Sequence, residues 1–207
     1  MENESATLIC TEQATIFGEL GYCVVRQAVS PDMIAVLENY ARMQRFNKYY
    51  LHDDDTNSQW RYADVMGESL LLHLQPLMEK ISGHQLYPTN SVLRIYQNGG
   101  VLKKHIDRPT CEYSATLTIG YEASDLYPIW VQNNTESIPV YLDRGDMLIY
   151  KGREIPHWRE VFTGRNWIQL FLHYVDANGE FSQYKNDGRL MIGMHSGKVL
   201  VGKQARQ

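Results

Sequence analysis

Val92-Leu93-Arg94-Ile95-Tyr96-Gln97-Asn98-Gly99-Gly100-Val101-Leu102-Lys103-Lys104-His105-Ile106-Asp107 reads as two β-like runs about a glycine turn. His105 and Asp107 lie two apart, and a strand repeats its facing every two residues, so both side chains point to one side. Fifty positions after Asp107, His157 opens another β-like run, His157 to Phe162, behind Gly145-Asp146 and a run ending at Lys151. Two imidazoles and one carboxylate on one face of a metal leave its opposite face open. Arg165 follows His157 by eight positions, past the Thr163-Gly164 turn. By alternation it shares one facing with Trp167, Gln169 and Phe171. An arginine pointing into a barrel is costly unless it meets an anion, and its planar fork suits a carboxylate. The four residues read as an iron site with an anchor for a bound diacid.

Outward from this stretch the β-rhythm continues. Tyr113 to Tyr121, Tyr127 to Gln132, Ile138 to Leu142, Met147 to Lys151 and Trp167 to Val175 complete eight runs separated by turn residues. Upstream, Gly21 to Arg26 reads as a short strand. Ser30-Pro31 starts a helix running to about Met43, with Ser as N-cap and Pro at the first helical position. Met66, Leu70, Leu74, Leu77 and Ile81 mark a second amphipathic helix ending near Gly83. Helices first and strands after predict a mainly β fold, a double-stranded β-helix (a jelly roll of the cupin kind) with helices packed on one face. The expected organisation is one domain over 1–207: a helical part to about 90, a jelly-roll core over about 91–175, and an extension over 176–207. A short hairpin around Gly197 is the one element the tail suggests.

A chain of 207 residues, 43% hydrophobic and 21% charged, is ordinary for a soluble domain with a substantial core. The formal net charge of −4 and the lack of a basic run argue against a nucleic-acid partner. No apolar stretch approaches the roughly 18 residues of a membrane span, and the acidic start Met1-Glu2-Asn3-Glu4-Ser5 is no signal peptide. Cys10, Cys23 and Cys111 form neither a CxxC pair nor a zinc spacing, as expected of a reducing, cytoplasmic setting. Asn133-Asn134-Thr135 is then a chance match to a glycosylation acceptor.

The sequence resembles the Fe(II)/2-oxoglutarate-dependent dioxygenase superfamily, in particular its prolyl 4-hydroxylase-like branch. The resemblance runs from about Leu93 to Val175 and rests on Tyr96-x-x-Gly99, Leu102, His105-x-Asp107, Gly145-Asp146-x-Leu148, His157 and Gly164-Arg165. Phe17 to Val25 and the following helix add to it. It implies Fe(II) held by His105, Asp107 and His157, with 2-oxoglutarate as cosubstrate, O2 as oxidant and ascorbate as a candidate reductant. It further implies Arg165 on the distal carboxylate and Tyr96 as a supporting donor. A hydroxyl from Thr116 or Thr118 is a further candidate, with only one of the two taken to face inward. The family often carries a small hydroxyl residue two after the arginine, and Trp167 stands there instead. Related halogenases lack the carboxylate, so Asp107 favours hydroxylation of an unactivated carbon, with 2-oxoglutarate going to succinate. The substrate implied is a protein or peptide side chain, or a free amino acid or other small metabolite.

Arg108 with Glu112 could meet a charged substrate at the barrel mouth, or form a salt-bridged rim. Trp130, Trp158 and Trp60 could shape a substrate pocket or belong to the core. His52 with Asp53, Asp54 and Asp55 reads as an acidic loop or part of a lid. His73 reads as packing or surface, and His173 lies too far from Arg165 along the chain to be placed at the metal. Lys151, Arg153 and Arg159 are the next anchors to test if Arg165 is not one. The rival reading is a non-catalytic cupin-like metal-binding or sensor protein; nucleobase demethylation has little support from the charge.

Overall fold

A computed structural model describes residues 2–194. Among the described residues three α-helices, α1 (Glu2–Leu20), α2 (Pro31–Gln44) and α3 (Val65–Ser82), accompany eleven strands. The strands are β1 (Tyr22–Val25), β2 (Leu51–Asp53), β3 (Ser58–Tyr62), β4 (Leu86–Gln97), β5 (Leu102–His105), β6 (Tyr113–Glu122), β7 (Ile129–Asn133), β8 (Glu136–Val140), β9 (Met147–Lys151), β10 (His157–Arg159) and β11 (Asn166–Asp176). A seven-stranded sheet runs β1-β9-β6-β11-β4-β3-β2, and a four-stranded sheet runs β5-β10-β7-β8. The two form the expected double-stranded β-helix, and the eight β-runs of the sequence each become a strand.

The helix signals act as expected. Ser30 caps α2, its hydroxyl accepting from the Met33 amide, and Asp64 caps α3 through the Met66 amide. Gly83 ends α3 at φ 75°, the left-handed conformation that glycine adopts without strain.

β11 is buried along nearly its whole length because both faces of the large sheet are covered. Ile168, Leu170, Leu172 and Tyr174 join Ile34, Leu37, Leu70, Leu71 and Met78 in the core beneath the helices. The alternate residues Trp167, Gln169, Phe171 and His173 face the small sheet. Burying the apolar set contributes about 1.5–3 kcal/mol per large side chain before chain entropy is counted.

Three strands lie among the helices, β1 where the sequence suggests one over Gly21 to Arg26 and the β2–β3 pair in addition. β1 pairs with β9, and the β2–β3 hairpin pairs with β4 at the edge of the large sheet. The acidic stretch from His52 to Asp55 is therefore the turn end of a hairpin. It is fastened by Arg94, which reaches Asp53 Oδ2 at 2.9 Å, Ser58 Oγ at 2.8 Å, and the Thr56 hydroxyl. The hairpin expected around Gly197 lies outside the described residues.

Candidate metal centre

β5 and β10 are antiparallel neighbours in the small sheet, with His105 directly opposite His157. Each imidazole has its Nδ1 tied to a carbonyl two residues earlier: His105 to Lys103 O at 2.8 Å, His157 to Ile155 O at 2.9 Å. A carbonyl only accepts, so each Nδ1 carries the proton and each Nε2 presents a lone pair. Both Nε2 atoms face Asp107 Oδ1, at 3.7 Å from His105 and 3.6 Å from His157. Metal bonds of about 2.0–2.2 Å put donors at right angles about 3 Å apart, so a slight closure completes three ligands on one ion. These three residues form the one such group among the described residues.

Their electrostatics suit a cation. Burial alone would raise the Asp107 pKa, but the imidazoles of His105, His173 and His157 around it and the Ser114 hydroxyl hold it below the ordinary carboxylate value. The facing Asp107 carboxylate raises the pKa of His105, whereas burial lowers that of His157. Of the three, His105 lies nearest solvent, its side chain 37% exposed against 2% for His157. It lines an open pocket of about 300 Å³ with Asp53, Asp55, Thr56, Leu102 and Lys103, so the hairpin borders the entrance.

Asp107 is also held tightly by its main chain. Its amide donates to Gly152 O at 2.8 Å, and Arg153 donates to its carbonyl at 3.0 Å. A Cβ on Gly152 would lie 2.2 Å from Cys111 O and 2.4 Å from Asp107 Oδ2. Gly152→Ala is expected to lower both thermal stability and metal affinity, the latter by about tenfold or more, as for other changes in the shell behind a ligand. Calorimetric titration of the metal-free protein with Mn(II) measures it.

Arg165 does not point into the barrel. β11 begins one residue after it, and its side chain is 77% exposed, paired with Glu122 at 3.1 Å. It borders an open pocket on the helix-covered side of the large sheet, with Arg45, Phe46 and Gln97. A cation that is buried, on the inner side, is Arg159, 1% exposed. Alternation from His157 along β10 puts Arg159 on the metal-facing side. Its Nη1 donates to Tyr127 O at 2.5 Å and Nη2 to Gln169 Oε1 at 3.2 Å, and its guanidinium lies 4.9 Å from the Tyr127 ring centre. No carboxylate pairs with it among the described residues, and Nε has no hydrogen-bond partner. Tyr96 lies fully buried in the same cluster, its hydroxyl likewise without a partner.

Gln169 organises this cluster. It donates to Thr116 Oγ1 at 2.7 Å and accepts from Trp167 Nε1 at 2.8 Å and Thr118 Oγ1 at 3.3 Å. Thr116 and Thr118 therefore both face inward, as residues two apart on a strand must, which corrects the expectation that only one does. Arg165→Ala is expected to leave the affinity for a dicarboxylate within about fivefold, the effect of an exposed ion pair being about 0–1 kcal/mol.

The low-lying substrate candidates separate. Trp130 pairs with Trp158 across the strands and stacks on it at 5.9 Å on the sheet's outer face, opposite to His157. It is thus directed away from the His-Asp-His group. Arg108 forms the rim salt bridge, reaching Asp187 at 2.8 Å, while Glu112 accepts from the Asp176 amide at 2.8 Å at the end of β11. The two do not act as a pair. Sequence reading left out His173, whose Nδ1 lies 2.9 Å from Ser114 Oγ, itself 2.8 Å from Asp107 Oδ2.

No family model and no curated protein matches the sequence. Solved structures do match the fold. A Pseudomonas putida prolyl-4-hydroxylase superposes with a TM-score of 0.69 at 14% identity, over 81% of this chain and 98% of that one. A Trichoplax adhaerens prolyl hydroxylase, solved with a hypoxia-inducible-factor peptide, gives 0.73 at 10% identity over 89% and 94%. The epimerase SnoN, solved with Fe3+, α-ketoglutarate and nogalamycin RO, gives 0.71 at 13% over 83% and 85%. In strand order, in the sheets that carry its His-Asp-His group and by superposition, this chain has the double-stranded β-helix fold of the 2-oxoglutarate–Fe(II) oxygenases.

Proposed function

We propose that the chain is an Fe(II)- and 2-oxoglutarate-dependent oxygenase that hydroxylates an unactivated carbon of a protein side chain, a free amino acid or another small metabolite. The observation that carries this reading is Arg159. A fully buried guanidinium without a carboxylate partner is costly, and its unpartnered Nε lies in one cluster with the unpartnered Tyr96 hydroxyl. Arg159 follows the ligand His157 by two residues, about 6.6 Å along a strand, on the scale of a short dicarboxylate. His105, Asp107 and His157 would hold the iron, and Arg159 with Tyr96 the distal carboxylate of 2-oxoglutarate. Iron and 2-oxoglutarate, when bound, would with O2 supply an oxidant able to break a C–H bond, the cosubstrate leaving as succinate and CO2.

The chain's own residues bind, orient and shield. Lys103 and Ile155 carbonyls fix the imidazole tautomers, Gln169 holds the Arg159 fork, and Trp167, Tyr127 and Phe162 exclude water around it. The pocket beside His105 offers the entrance for a substrate side chain or a small molecule. A reducing cytoplasmic setting fits the free, buried Cys23 and Cys111. No described helix is long and apolar enough to cross a membrane.

The test is formation of succinate from 2-oxoglutarate, expected slowly without a prime substrate and only with Fe(II) and oxygen together. A protein that binds the metal and yields no succinate with any amino-acid, peptide or metabolite substrate would instead be a metal-binding sensor.

A further inference from the structure

Asp107 presents two different oxygens to its surroundings. Oδ1 faces both imidazoles, whereas Oδ2 takes the Ser114 hydroxyl at 2.8 Å. Ser114 is fully buried on β6 and sits opposite His173 in the register with β11, so both side chains enter the space between the sheets. A hydroxyl has one proton and two lone pairs. With that proton on the ionised carboxylate, the 2.9 Å contact to His173 Nδ1 is a bond donated by His173. The Cys111 carbonyl, 3.2 Å from Ser114 Oγ, is the longer alternative for the hydroxyl proton. Gly152 closes the remaining side, since even a Cβ there would lie 2.4 Å from Oδ2 and 2.8 Å from Ser114 Oγ.

We infer that Ser114, oriented by His173, is a positioning residue that holds Asp107 to a single metal-binding oxygen. The inference rests on the proposed metal site and extends it to the shell behind the ligand. Its purpose is to preserve open positions. A carboxylate free to turn could offer both oxygens, and the fourth donor would occupy a place needed by a chelating cosubstrate or by oxygen. Ser114 binds Oδ2 competitively against that outcome, and His173 keeps the Ser114 proton directed at Asp107 by occupying its lone pair.

Co(II) serves as the probe, titrated into metal-free protein by calorimetry and followed by visible absorption. Ser114→Ala and His173→Phe are expected to weaken Co(II) binding by about tenfold or more, the usual effect of losing an outer-shell partner. They should also change the intensity of the Co(II) bands, which follows coordination number. His173→Asn keeps a donor near the Nδ1 position and should stay within about threefold of the parent protein with the parent spectrum. Circular dichroism of each metal-free variant reports folding, and His173→Phe against His173→Asn carries the test if Ser114→Ala does not fold. Unchanged affinity and spectrum in a folded Ser114→Ala or His173→Phe protein would overturn the inference. So would equal losses in His173→Phe and His173→Asn, which would mark a packing role. Failure of the parent protein to bind Co(II) would instead remove the metal-site reading itself.

Discussion

Asp107→Ala protein is expected to lose tight divalent-metal binding, and His105→Ala to do the same, each by more than about a hundredfold, beyond the range for partners one shell out. The cause is arithmetic at the ligand set. Three donors converge from β5, the turn behind it, and β10, and removing one leaves two donors that water can outcompete. Asp107→Ala carries the larger loss, because Asp107 is the only anion among the three and its charge faces both imidazoles. Neither variant should unfold the protein, since the cores beneath the helices and around Tyr96 do not include these residues. Calorimetry with Mn(II) measures the affinities. Undiminished binding in both variants would remove the site.

Arg159→Met is expected to have two effects of opposite sign. The dicarboxylate partner loses charge-assisted hydrogen bonds worth about 1.5–3 kcal/mol each. At 1.4 kcal/mol per decade, the affinity for 2-oxoglutarate in Mn(II)-loaded protein should fall at least about tenfold. The thermal midpoint of the unliganded protein should be unchanged or higher, because a buried guanidinium without a counter-ion is replaced by an apolar chain of similar length. Burial already lowers the Arg159 pKa, a sign of the same cost. The stabilisation that 2-oxoglutarate confers on the parent protein should accordingly vanish. A folded Arg159→Met protein that keeps its 2-oxoglutarate affinity would move the anchor elsewhere, and a large drop in unliganded stability would assign Arg159 to the core.

Much of this was legible in the sequence because alternation and turn residues carry most of the information in a sheet. His105 and Asp107 were placed by a two-residue period, and all eight β-runs from Val92 onward match strands. For Arg165 the same rule reaches one residue too far. The strand begins at Asn166, and Glu122 offers Arg165 a partner outside. The facing rule applied to His157 instead selects Arg159. Distance along the chain separates His173 from the site, whereas antiparallel register brings it directly opposite Ser114. α1 gave little signal, with the sparse apolar pairs Leu8-Ile9 and Ile16-Phe17 among Thr, Asn and Gly of modest helix propensity. The β2–β3 hairpin gave none in its own pattern, because its place is set by Arg94 on a neighbouring strand.

The large sheet joins pieces made at very different times during synthesis. β1, near the start, pairs with β9, and β11 lies hydrogen-bonded between β4 and β6. Such pairings give a high contact order, and the loop-closure entropy must be met before the contacts stabilise anything. A nascent chain ending before Asn166 already contains His105, Asp107 and His157, yet it lacks the strand on which β4 and β6 meet. The proposed metal site is therefore expected to assemble late, once β11 has joined β4 and β6.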